Sequence, residues 1–97
     1  MAKGYWVVNL EVTDPDTYKR YQAFVGPFLE EWGGTVLVRG GTRIVKEGNA
    51  RTRTVIVEFS DFAIAQAAYE SAAYQDGMQE RLAASVADFV IADGFDD

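Results

Sequence analysis

The sequence contains neither cysteine nor histidine. Without cysteine there is no disulfide framework and no thiol nucleophile, and without histidine the commonest general base and the commonest metal ligand are both missing. Long apolar runs are absent as well. Tyr5 to Val8 is far shorter than a signal-peptide core, and no stretch approaches the roughly 20 apolar residues of a membrane span. A cytoplasmic protein without membrane association is the expectation. Basic charge is scarce, with 9 Lys and Arg against 15 Asp and Glu. The net charge of −6 lacks the footprint that phosphate backbones require, so no nucleic-acid partner is expected.

What is present is ordinary globular composition, 48% hydrophobic and 25% charged, in 97 residues. That length suits one small domain, 1–97, with enough chain to bury a core. The charge is unevenly spread. Residues 39–53 carry Arg39, Arg43, Lys46, Arg51 and Arg53 against Glu47 alone, while the segments on either side are acidic. A solvated loop is the simplest reading of this basic segment. The sharper one is an electrostatic complement, either for an acidic ligand or for the acidic C-terminal region of a partner subunit.

Local patterns divide the chain into elements. Tyr5 to Val12 alternates as a strand, with Trp6, Val8, Leu10 and Val12 on one face. Asp14 is placed to cap a helix with Pro15 at its first position, and Tyr18, Tyr21, Val25, Phe28, Leu29 and Trp32 form its apolar stripe. Gly26-Pro27 predicts a kink and Gly33-Gly34 a stop. Thr35 to Arg39 reads as a second strand, Thr42 to Lys46 as a short extra one, and Arg53 to Phe59 as the third full strand. Asp61 caps a second helix containing Phe62, Ala65 and Tyr69. Ser71 re-caps a further segment with Tyr74, Met78 and Leu82 on its apolar side. Val86 to Ala92 is the last strand, followed by an acidic tail, 93–97.

The order β-α-β-β-α-β predicts an α+β fold, a ferredoxin-like antiparallel sheet with helices on one face. By alternation the helix side holds Trp6, Val8, Leu10, Val12, Val36, Val38, Val55, Val57 and Phe59. The other side should then carry Tyr5, Val7, Asn9, Glu11, Leu37, Arg39, Ile56 and Glu58. A sheet face left in water is normally polar, and this one is not. A second copy of the sheet is the economical cover, through a two-fold interface in which Arg39 pairs with Glu58 or Glu11.

With these elements in place, the chain resembles the bacterial family known as domain of unknown function 1330, within the dimeric α/β-barrel superfamily. The resemblance rests on Met1-Ala2-Lys3-Gly4-Tyr5-Trp6, Val12-Thr13-Asp14-Pro15, Leu37-Val38-Arg39-Gly40-Gly41, Glu47-Gly48, Val57-Glu58-Phe59, and Tyr74-Gln75 after Ser71. It implies a homodimer with facing sheets and no particular activity. The chain departs from the family pattern, in which a tryptophan precedes the equivalent of Tyr69 and a proline follows that of Ser71. Here Ala68 and Ala72 stand at those positions. The wider superfamily includes cofactor-free monooxygenases, haem-degrading enzymes and muconolactone-type isomerases. Of these, the haem route usually needs a histidine.

The remaining motifs offer little chemistry. No zinc ligand set, calcium loop or P-loop is legible, and no base stands ready to activate Ser60, Ser71 or Ser85, so neither metal nor cofactor is expected. The candidate ligand-binding residues are Tyr18 and Tyr21 on the first helix, Tyr69 and Tyr74 on the second helical region, and Arg39 and Glu58 near the sheet. Each has a plain structural alternative: tyrosines at helical spacing are commonly core, and Arg39 with Glu58 is commonly an ion pair. Three readings stay open. One is a small-molecule binding domain with a pocket between helices and sheet. The second is a cofactor-independent monooxygenase or isomerase acting on a small aromatic or enolisable substrate, and the third a purely structural dimeric scaffold. A pocket of at least about 300 Å3 separates the first two from the third.

Overall fold

A computed structural model describes residues 2–95. Met1, Asp96 and Asp97 lie outside the described residues, and with them the end of the expected acidic tail. Four strands, β1 (Gly4–Val12), β2 (Thr35–Arg39), β3 (Arg53–Phe59) and β4 (Ser85–Asp93), form one antiparallel sheet in the order β2-β3-β1-β4. The helices are α1 (Pro15–Glu31), α2 (Phe62–Glu70) and α3 (Ala72–Ala84). This is the ferredoxin-like arrangement expected from the element order.

Each helix starts where its cap residue dictates. Asp14 accepts hydrogen bonds from the Thr17 amide and hydroxyl, Asp61 from the Ile64 amide, and Ser71 Oγ from the Tyr74 amide. The Thr17 bonds hold the Asp14 carboxyl below its ordinary range. Helix α1 runs through Gly26-Pro27 to Glu31. It ends in a Schellman motif, with Gly33 in the left-handed region at φ +72° and the Gly34 amide donating to the Leu29 carbonyl at 2.8 Å.

The core is continuous between helices and sheet, and its centre is aromatic. Tyr74 and Phe59 are almost wholly buried, and Trp6 packs 5.0 Å from each of them, ring centroid to ring centroid. Trp6 Nε1 donates to the Ala65 carbonyl at 2.8 Å, so the large indole is buried without leaving its donor unmet.

Four expectations need correction. Residues 42–46 are not a strand: the connection between β2 and β3 is irregular, and Ile44 is 78% exposed. Arg43 holds this connection in place by donating to the Ala50 carbonyl, the Thr54 hydroxyl and the Arg51 carbonyl. A strand would need a backbone partner, and side-chain bonds have taken its place. On α3 the inward residues after Tyr74 and Met78 are Arg81 and Ala84, while Leu82 is exposed.

The third and fourth corrections share one cause. Val36 opposes Val57 but Val38 opposes Ile56, so β2 has a bulge at Leu37. An extra residue reverses the facing of everything after it. Val38 therefore leaves the helix side for the open face. Arg39, opposite Val55, moves the other way, to the helix side.

Candidate functional site

Helix α1 packs on α3, whereas α2 lies directly on β1, β3 and β4. Between α1 and the sheet there is a cavity of about 580 Å3. Its apolar walls include Val25, Leu29, Val36, Val55 and Val57, and Gly26-Pro27 lies along its α1 edge. Tyr18 and Tyr21 project into it from α1, and three guanidiniums border it: Arg39, Arg53 and Arg81. Glu30, an exposed residue, is the one carboxylate among its lining residues.

Three of the six residues expected at a site thus meet at one cavity: Tyr18, Tyr21 and Arg39. Tyr74 lies behind the cavity wall, joined to it by a 2.7 Å hydrogen bond between the Tyr21 and Tyr74 hydroxyls. Tyr69 belongs to the aromatic core, with ring centroids 4.8 Å from Phe89 and 5.3 Å from Tyr74. Glu58 is on the opposite face of the sheet, where it accepts a 3.0 Å hydrogen bond from Tyr5. That bond keeps the Tyr5 phenol protonated above its usual range. The bulge therefore separates Arg39 from Glu58, and the expected pairing of Arg39 with Glu58 or Glu11 across the open face does not hold.

The basic segment divides in the same way. Arg43 and Arg51 fasten the β2–β3 connection to this chain's own atoms, Arg51 through a 2.9 Å ion pair with Asp88. Arg39 and Arg53 turn inward to the cavity. Arg53 lies with its Cζ 5.5 Å from the Tyr18 ring centroid, and its guanidinium presses on Gly40, whose φ of +71° and missing side chain make room for it.

Burial decides the protonation of the phenols. It raises the pKa of Tyr21 well beyond the ordinary range and also raises those of Tyr74 and Tyr18, against the opposing charge of Arg81 at Tyr74 and of Arg53, Arg81 and Arg39 at Tyr18. All three are hydrogen-bond donors at neutral pH. For Arg81, burial works against the charge, but the neighbouring Tyr74 and Tyr21 hydroxyls outweigh it and the group stays cationic.

Sequence reasoning missed Arg81, and it reached Arg53 only as part of the basic segment and not as a site residue. Arg81 stands seven residues after Tyr74 and three after Met78, which is the spacing of one helix face.

Fold and site together define a class: a ferredoxin-like α+β domain with its cavity between the first helix and the sheet. The chain belongs to the family described as Domain of unknown function (DUF1330), whose model matches residues 3–95. No curated protein sequence matches it. Among solved structures it is similar to a protein of unknown function from Rhodopseudomonas palustris. The TM-score is 0.76 at 15% identity, covering 99% of this chain and 85% of that one. It is also similar to SnoaB, a cofactor-independent oxygenase from Streptomyces nogalater, with a TM-score of 0.62 at 11% identity, covering 100% and 97%. A third likeness is to an ethyl tert-butyl ether d (ethd) family protein from Bacillus halodurans, with a TM-score of 0.58 at 10% identity, covering 98% and 100%. At these identities the likeness is one of fold.

Proposed function

We propose that the protein is a small-molecule-binding domain whose ligand occupies the cavity between α1 and the sheet. The single observation behind this reading is the cavity itself. At about 580 Å3, it falls in the range of ligand sites and is walled by apolar side chains with a few polar groups converging on it. A purely structural scaffold of this size would gain stability by filling such a space.

The alternative of a cofactor-independent oxygenase or isomerase draws on the fold shared with SnoaB. The groups at the cavity favour binding over proton abstraction. Protonated phenols and guanidiniums orient and hold a ligand, whereas a general base has to accept a proton near neutral pH.

The working form in this proposal is a homodimer closed through the open sheet face. That face exposes Leu37, Val86 and Val90 by about half each, next to Val7, Val38, Ile56 and Ala92. Thermal-shift screening against a metabolite library tests the binding reading, with Val25→Trp as a variant that fills the cavity. Ligands should raise the melting temperature of the parent protein and leave the variant unmoved. Equal shifts in both would place binding elsewhere. Sedimentation at micromolar concentration tests the assembly: the expected species is a dimer that Val90→Asp dissociates, and a monomeric parent protein would refute it.

A further inference from the structure

Arg81 is the one buried charged residue among the described residues. It is 4% exposed, and its Nε is buried without a hydrogen-bond partner. Its Nη2 donates to the Met78 sulfur at 3.7 Å, a weak acceptor, and the neutral Tyr74 hydroxyl is another polar neighbour. Its Cζ is 5.2 Å from the Phe89 ring centroid and 5.9 Å from that of Tyr21. Aromatic faces attract a cation but do not neutralise it. Among the described residues no carboxylate pairs with Arg81, although a buried charge is normally paired.

Arg53 repeats the pattern nearby. Its Nε is likewise buried and unpartnered, and it packs on the ring of Tyr18 as Arg81 packs on that of Tyr21. The Tyr18 and Tyr21 ring centroids are 5.7 Å apart, so the two guanidiniums flank a continuous pair of phenols along the cavity. Arg39 adds a third charge from the bulged strand. Three cations against the one exposed carboxylate of Glu30, with two protonated phenols and a mostly apolar wall, describe a counterpart to a negative charge.

We propose that the cavity binds an organic carboxylic acid, its carboxylate held by Arg81 and Arg53 and its flat apolar body resting on Val25, Leu29, Val36, Val55 and Val57. This deepens the binding reading above and rests on it. The cavity's size and apolar walls argue against a bare inorganic anion, which would leave most of the space and all of the apolar surface unused. Guanidiniums suit the head group because their planar fork matches a carboxylate with two parallel hydrogen bonds. The phenols of Tyr18 and Tyr21 can donate to the same oxygens.

The test compares 2-naphthoate with 2-naphthamide, which share a ring and differ in charge, by calorimetry on the intact protein. Naphthyl phosphate is the third probe, and inorganic phosphate the fourth. The expected result is 2-naphthoate at least about tenfold tighter than the amide, with inorganic phosphate not bound. Arg81→Met and, separately, Arg53→Met should each erase most of that preference, while Arg81→Lys should keep part of it. Equal binding of acid and amide would overturn the anion proposal and leave the binding reading standing. Binding of neither, nor of naphthyl phosphate, would overturn both. Naphthyl phosphate binding well ahead of 2-naphthoate would replace the carboxylate by a phosphate ester. The comparison of acid with amide needs no variant, so it holds even if Arg81→Met does not fold.

Discussion

The helix side of the sheet has two halves built on opposite terms. Under α2 and α3, rings pack closely: Trp6, Phe59, Tyr69, Tyr74 and Phe89 have centroid separations near 5 Å. Under α1 the same layer is hollow and lined with arginines. Helix α2 rests on the sheet through Ala65 and Ala68, both fully buried, and small residues permit that approach. Helix α1 turns the bulkier Tyr18, Tyr21 and Leu29 to the cavity, while its Phe28 packs on Tyr74 of α3. Stability is thus concentrated in one half, and the other is free to hold charges that a well-packed core would reject.

The largest expected effect lies in the packed half. Phe59→Ala should cost about 3–5 kcal/mol in a denaturant titration, enough to threaten a small domain. A loss below about 1 kcal/mol would show that the ring cluster is looser than its geometry implies. The seam between the halves comes next. Tyr21→Phe strands the buried Tyr74 hydroxyl and should cost about 1–3 kcal/mol. In the hollow half the sign should reverse. Arg81→Met, measured without ligand, should be neutral or stabilising by about 1 kcal/mol, because it removes an unpaired buried charge. A clear destabilisation there would mean that the arginine serves the fold.

The smallest effect is expected at the exposed start of α1. Since the folded-state pKa of Asp14 lies below its ordinary value of 3.8, its contribution is complete above that pH. It fades as pH falls through the lowered value. Asp14→Asn should therefore flatten the acid limb of the stability profile slightly and leave neutral pH almost unchanged.

Much of the fold was legible because its signals are local. Asp14, Asp61 and Ser71 announce helix starts, Gly33-Gly34 announces a stop, and the alternation in β1 assigns Trp6, Val8 and Leu10 to the core. The candidate site was half legible for the converse reason. Nothing in Thr35 to Arg39 marks a bulge, since the bulge exists only in the pairing of β2 with β3. Arg81 was passed over because Leu82 beside it is apolar and a charged residue is seldom buried unpaired. Helical spacing pointed to position 81, and composition pointed to 82. Tyr69 and Tyr74 show the reverse case, where a polar handle suggested a site and ring packing placed both in the aromatic cluster.

The bulge at Leu37 also has a meaning for descent. Substitution changes what a residue is, whereas a bulge gained or lost with the residue count unchanged alters which side of the sheet it faces. Pairing Leu37 in regular alternation would return Arg39 to the outer surface and restore Val38 to the helix side, taking one cation from the cavity, whereas deleting Leu37 would leave Val38 opposite Ile56 and Arg39 opposite Val55. Because β2 is an edge strand, only one neighbour has to accommodate the change. Relatives whose β2 pairs without the bulge would therefore be expected to differ in what their cavities hold.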